Sequence, residues 1–189
     1  TKEILKNVIE SCNKPDRKCK IYHIHGTMSD EEVHGLYTHP DIKAILSTTH
    51  GEGFGLPLYE AAYMGMPVVC PAWSGQTDFL YAPKDSGSKK LVPCFEKVKY
   101  EVRDVAEDAY MPDAIEEGMK WCYPDRKSFK KAMRSVYQAY QSKKANALTL
   151  QKYLRTTFSI NNQQAEIEKV VRECFSNDWK EEMEEVEIL

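Results

Sequence analysis

Apolar residues recur three and four apart over residues 2–12, where Ile4, Leu5, Val8, Ile9 and Cys12 line one side of KEILKNVIESC. That spacing predicts a helix. NKPDRK breaks it, and CKIYHIHG (19–26) reads as a strand closing on Gly26. Ser29 and Glu32 form the S-x-x-E capping box at the head of a helix running to about Tyr37. HPD interrupts again, and IKAILST (42–48) is an apolar strand. A helix follows from about Leu56 to Met64, with Gly65 as its C-terminal glycine. MPVVCPAW (66–73) then makes a short buried strand. Strand, helix, strand, helix, strand in that order predicts parallel strands joined by helical crossovers. A doubly wound sheet normally begins with a strand, whereas this chain begins inside a helix. Either an upstream strand is missing or the helix is an outlier.

Beyond Ser74 the pattern loosens. YAPKDSGSKKLVP is a loop rich in turn residues, with a strand expected at 91–95 or 97–102. Pro112 opens an expected helix carrying Ile115, Gly118, Met119 and Cys122 on one face, and YPD stops it. Ser128 to Lys144 reads as one long amphipathic helix, and helical pattern resumes at 146–156 and 160–175. The end, DWKEEMEEVEIL, is acidic. The expected organisation is a partial α/β domain over 1–110 and a helical C-terminal part of the same domain over 111–189.

Between the second strand and its helix lies HGEGFGLPLYEAA (50–62). In open α/β sheets ligands bind outside the carboxyl ends of strands. A helix N-terminus offers unpaired N–H groups and about half a positive charge, which suits a phosphate. Gly53 and Gly55 can take positive φ and let amides approach a ligand closely, and Pro57 near the first helical position gives up nothing by lacking an N–H. The run matches the dinucleotide fingerprint G-x-G-x-x-G only in part, because Leu56 stands where the last glycine belongs. The two carboxylates need another explanation. An ionised carboxylate only accepts hydrogen bonds, and sugars are dense in hydroxyl donors. Glu52 in the loop and Glu60 one turn into the helix suit a diphosphate with a sugar on each side, which is a nucleotide sugar.

Charge and composition narrow the classes. The chain has 189 residues, 26 basic and 29 acidic, for a net charge of −3, and 42% are hydrophobic, enough for an ordinary core. It carries no basic stripe of the kind that marks nucleic-acid binding. No apolar run approaches the ~20 residues of a membrane span, and no signal peptide is visible. The six cysteines (12, 19, 70, 94, 122, 174) make no C-x-x-C pair and no metal spacing with histidine. A reduced, cytoplasmic protein without a bound metal is the expectation. His23 and His25 share a strand face, but no third ligand accompanies them.

EGFGLPLYEA resembles the E-x7-E signature of retaining family-4 glycosyltransferases. The likeness extends through IYHIHGTMSDEEVHGLY and DIKAILSTTHGEGFGLPLYEAAYMGMPVVCPAWSGQTDFL, and LRTTFSINNQQAEI resembles the family's terminal helix; it is strong over 21–80 and weak over 81–145. The resemblance implies an α/β, Rossmann-like parallel sheet with flanking helices, the C-terminal half of a GT-B fold with a helical extension. It implies that Glu52 contacts the transferred sugar as the catalytic carboxylate, that Gly53, Phe54, Gly55 and Leu56 present amides to sugar and diphosphate, and that Glu60 holds ribose hydroxyls. Ser74, Gly75 and Gln76 would line the same cleft. His50 at the loop entrance and Asp78, where relatives often carry glutamate, are further candidates. The implied chemistry is metal-independent, cofactor-free transfer of a sugar, with retention, from a nucleoside-diphosphate sugar to an acceptor saccharide or other hydroxyl. In the family a separate N-terminal domain binds the acceptor, so this chain is expected to be a donor-half fragment, inactive alone. The alternative is a non-catalytic nucleotide-sugar-binding or assembly module.

Overall fold

A computed structural model of the chain describes residues 2–11, 19–85 and 87–174. Its elements in chain order are α1 (Lys2–Ser11), α2 (Asp30–Thr38), β1 (Ile45–Leu46), α3 (Leu56–Tyr63), β2 (Val68–Pro71), β3 (Tyr81–Pro83), β4 (Leu91–Pro93), β5 (Glu96–Val98), β6 (Tyr100–Asp104), β7 (Lys120–Pro124), α4 (Arg126–Gln138), α5 (Tyr140–Thr157) and α6 (Ile160–Cys174). The chain falls into two units that part after Val33.

In the first unit the expected capping box is present. The Ser29 amide donates to Glu32 Oε2 at 2.8 Å, and the Glu32 amide donates to Ser29 Oγ at 3.3 Å. The strand expected at 19–26 does not form: these residues join no ladder, and Ile21, Tyr22 and Ile24 stay exposed. Alternation alone makes no strand, because a strand exists only where a neighbour takes its N–H and C=O groups. The Cys12 end of the first helix, the NKPDRK break, and the chain from residue 175 onward lie outside the described residues.

The second unit is mixed α/β, with a three-stranded parallel sheet in the order β1-β2-β5. Its third strand is thus β5, not residues 19–26. β2 is buried throughout and sorts its side chains by the two-residue period of a strand. Val68 and Cys70 face a core with Leu58 and Ala62 of α3 and Leu150 and Leu154 of α5. Val69 faces the other way, against Val98 of β5 and Ala132 and Val136 of α4. Helices therefore cover both faces, as parallel strands require. Each fully buried leucine contributes roughly 1.5–3 kcal/mol.

α3 ends as Gly65 predicts. Gly65 takes φ +71, its amide bonds to Ala62 O at 2.9 Å, and the Met66 amide reaches back to Ala61 O at 2.8 Å, the two bonds of a Schellman motif. α5 completes this cap from outside: Lys144 Nζ donates to Gly65 O (2.7 Å) and Gln151 Nε2 to Tyr63 O (2.9 Å).

Two helical expectations fail. Residues 112–122 form no helix, because Asp113 (φ +63) and Gly118 (φ +85) sit in left-handed conformation. Cys122 lies instead on β7, which pairs antiparallel with β6. The single helix expected over 128–144 is two, parted at Ala139 (φ −119, ψ 36). Asp125 begins α4 rather than merely stopping what precedes it, since its carboxylate accepts the Ser128 amide at 2.6 Å. Both strand alternatives near 91–102 are realised, as β4, β5 and β6.

Candidate functional site

The loop from Ser47 to Gly55 leaves the carboxyl end of β1 and turns into α3. Gly55 is the turning point. It is the N-cap of α3 at φ +90, and its carbonyl accepts the amides of Leu58 (2.9 Å) and Tyr59 (3.0 Å). Leu56 and Pro57 form the first turn, and Leu56 is exposed. Among the described residues none accepts a hydrogen bond from the amides of Gly53, Phe54, Gly55 or Leu56. Four unsatisfied donors thus stand together at a helix N-terminus, at the strand end where such sheets bind ligands.

A second loop, after β2, locks onto the first. Ser74 Oγ donates to Glu52 O at 2.6 Å and accepts from the Glu52 amide at 3.3 Å, and the Gly75 amide donates to the same Glu52 O at 3.2 Å. The approach is so close that a Cβ on Gly75 would lie 2.1 Å from Gly53 O. Glu52 is half-buried, and its Cβ and Cγ lie 3.6 and 3.7 Å from where a Gly55 Cβ would stand, an ordinary contact distance, so it is the φ of +90 rather than the space that calls for glycine at this position. Gly53 has open space beside it.

The Phe54 ring turns inward, 5.0 Å from Phe79 and 5.4 Å from Tyr59, and fastens the loop to the core. Gln76 is buried, 1% exposed. Its Nε2 donates to Pro71 O at 3.3 Å, while its Oε1 has no partner among the described residues. Asp78 is exposed at the end of the short 3-10 turn Gly75–Asp78. Glu60 is exposed on α3, next to Tyr37 of α2. Burial, and then hydrogen bonding to Glu60, push the Tyr37 phenol up to about 12.

His50 is built into the framework. Its ring stacks on Trp121 at 4.7 Å and 4°, and Nδ1 donates to Cys122 O at 2.7 Å. The Cys122 amide answers to His50 O at 3.0 Å. The loop entrance is therefore tied to β7, a strand where the apolar spacing predicts the end of a helix. Tyr100 of β6 adds a bond from its hydroxyl to Ala72 O at 3.0 Å. Tyr37, Trp121 and Tyr100 carry no local motif, and only the tertiary fold brings them to the loops. His23 and His25 meet edge to face at 5.8 Å in the first unit, and among the described residues no three metal-ligating side chains gather.

The family model for glycosyl transferases group 1 matches residues 3–92. The match supports glycosyl transfer as the activity class and agrees with a Rossmann-like half-sheet flanked by helices. It spans both loops of the site and ends before β5. No curated protein matches the chain. Among the described residues no helix is long and apolar enough to cross a membrane.

Proposed function

We propose that this chain is the donor-binding portion of a retaining, family-4, GT-B glycosyltransferase that moves a sugar from a nucleoside diphosphate to an acceptor hydroxyl. The observation that carries the reading is the set of four amides, Gly53 to Leu56, at the N-terminus of α3, which have no acceptor among the described residues. They suit the diphosphate, whose negative charge grows as the sugar leaves; fixed dipoles aimed at that charge stabilise it without a metal ion. Glu52, held beside these amides, orients the transferred sugar through its hydroxyls. Glu60 receives ribose hydroxyls, Ser74, Gly75 and Gln76 form the facing wall, and Asp78 borders it. No cofactor is required, and the chemistry fits a cytoplasmic enzyme supplied with activated sugars.

Calorimetry with uridine, guanosine and adenosine diphosphates and their glucose esters tests this reading. One nucleotide series binds, Glu60→Gln weakens both members about tenfold, and Glu52→Gln weakens only the sugar ester. If no series binds, or Glu60→Gln changes nothing, the donor-site reading fails. Binding without sugar transfer in the full-length protein favours the non-catalytic module.

A further inference from the structure

Ser74 holds a conformation that serines avoid. Its φ of 68° and ψ of −162° fall in a region populated almost entirely by glycine. Such strain persists only where surrounding contacts enforce it. Here the enforcing contacts are visible. One hydroxyl spans both backbone groups of a single residue, donating to Glu52 O at 2.6 Å and accepting from Glu52 N at 3.3 Å. A hydroxyl has one donor and two acceptor sites, so it can do both at once. The Gly75 amide takes the second lone pair of Glu52 O. Fixing N–H and C=O of one residue fixes the direction of its Cα–Cβ bond, and the Glu52 Cβ and Cγ then lie within 3.7 Å of where a Cβ on Gly55 would stand.

We infer that Ser74 is a positioning residue: its strained hydroxyl clamp sets the direction of the Glu52 carboxylate toward the transferred sugar. The inference rests on the donor-site reading above. A glycine would keep the loop path and relieve the strain but leave Glu52 held by the Gly75 amide alone. An alanine would lose the tether and keep the strain.

The test compares Ser74→Gly, Ser74→Ala and Glu52→Gln in the full chain. The ligands are uridine, guanosine and adenosine diphosphates, each with its glucose ester. The readout is the ratio of diphosphate Kd to sugar-ester Kd, which isolates what the sugar adds. Both Ser74 variants are expected to lower that ratio about fivefold, the size of one lost hydrogen bond. Ser74→Gly should unfold at a higher temperature than Ser74→Ala, because only glycine adopts this conformation freely. If Glu52→Gln lowers the ratio and neither Ser74 variant does, the positioning role is overturned and the donor site stands. A loss shared equally by diphosphate and sugar ester also overturns it, since the serine would then serve the whole loop. If no ligand binds the parent chain, the donor reading falls and the role of Ser74 falls with it.

Discussion

Gly75→Ala puts a methyl group where two loop backbones already touch. The new Cβ would lie 2.1 Å from Gly53 O and 2.8 Å from both Gly53 C and Phe54 Cα. Non-bonded heavy atoms rest near ~3.5 Å, and all three neighbours are backbone, which cannot swing aside as a side-chain tip can. The loops must part by roughly 1 Å. Overpacking of this kind costs about 1–3 kcal/mol. Parting also stretches the three hydrogen bonds that join Glu52 to Ser74 and Gly75, each worth about 0.5–1.5 kcal/mol net. A destabilisation of about 2–5 kcal/mol follows. Gly53→Ala is the matched control: its Cβ would meet nothing within 4 Å, and the change should stay within about 0.5 kcal/mol. Urea unfolding measures both. With a slope of about 2 kcal/mol/M, Gly75→Ala lowers the midpoint by about 1–2.5 M while Gly53→Ala leaves it in place. A Gly75→Ala midpoint matching the parent, or equal losses in the two variants, would refute the close docking of these loops.

Other consequences follow from single contacts. His50→Ala removes the stack on Trp121 and the bond to Cys122 O, so chemical denaturation should register a loss of about 1–3 kcal/mol; a neutral result would mean the entrance clamp is idle. Burial, with Cys122 nearby, pushes the Cys70 thiol up to about 12. At pH 8 a maleimide should therefore mark exposed Cys19 and Cys174 quickly and Cys70 only on unfolding, with peptide mass mapping to decide; equal labelling contradicts the burial. Tyr37 is raised from 10 to about 12, so the fold favours the neutral phenol. Its contribution is whole below pH 10 and is lost as pH rises from 10 to 12. Stability of Tyr37→Phe should fall less steeply over that window, and superimposable pH profiles would dismiss the Tyr37–Glu60 interaction.

The local shape of the loop and of the helix it leads into is more legible in the sequence than the pairing of the elements around them. Glycine conformation, helix capping and a proline in the first turn are local effects, so the loop at 50–55, α3 and the Gly65 cap stand where their residues put them. The same local signals failed where partners decide. Ile21, Tyr22 and Ile24 alternate as a strand would but have no neighbour to pair with. Ile115, Met119 and Cys122 carry helical spacing, yet Asp113 and Gly118 turn left-handed and Cys122 joins a β-hairpin. His50 shows the limit most plainly: nothing near it in sequence announces Trp121, 71 residues on, as its stacking partner. Nor does anything local reveal that Ser74 occupies glycine's conformation, since that demand comes from the loop facing it.

The central claim is that the amides of Gly53 to Leu56 receive a nucleotide diphosphate. Amide chemical shifts, followed while uridine, guanosine or adenosine diphosphate is titrated into the chain, test it most directly. The account predicts that one nucleotide moves the resonances of Gly53, Phe54, Gly55 and Leu56 most, with Glu52, Ser74 and Gly75 following. Saturating shifts confined to another surface, or none with any of the three, would contradict it.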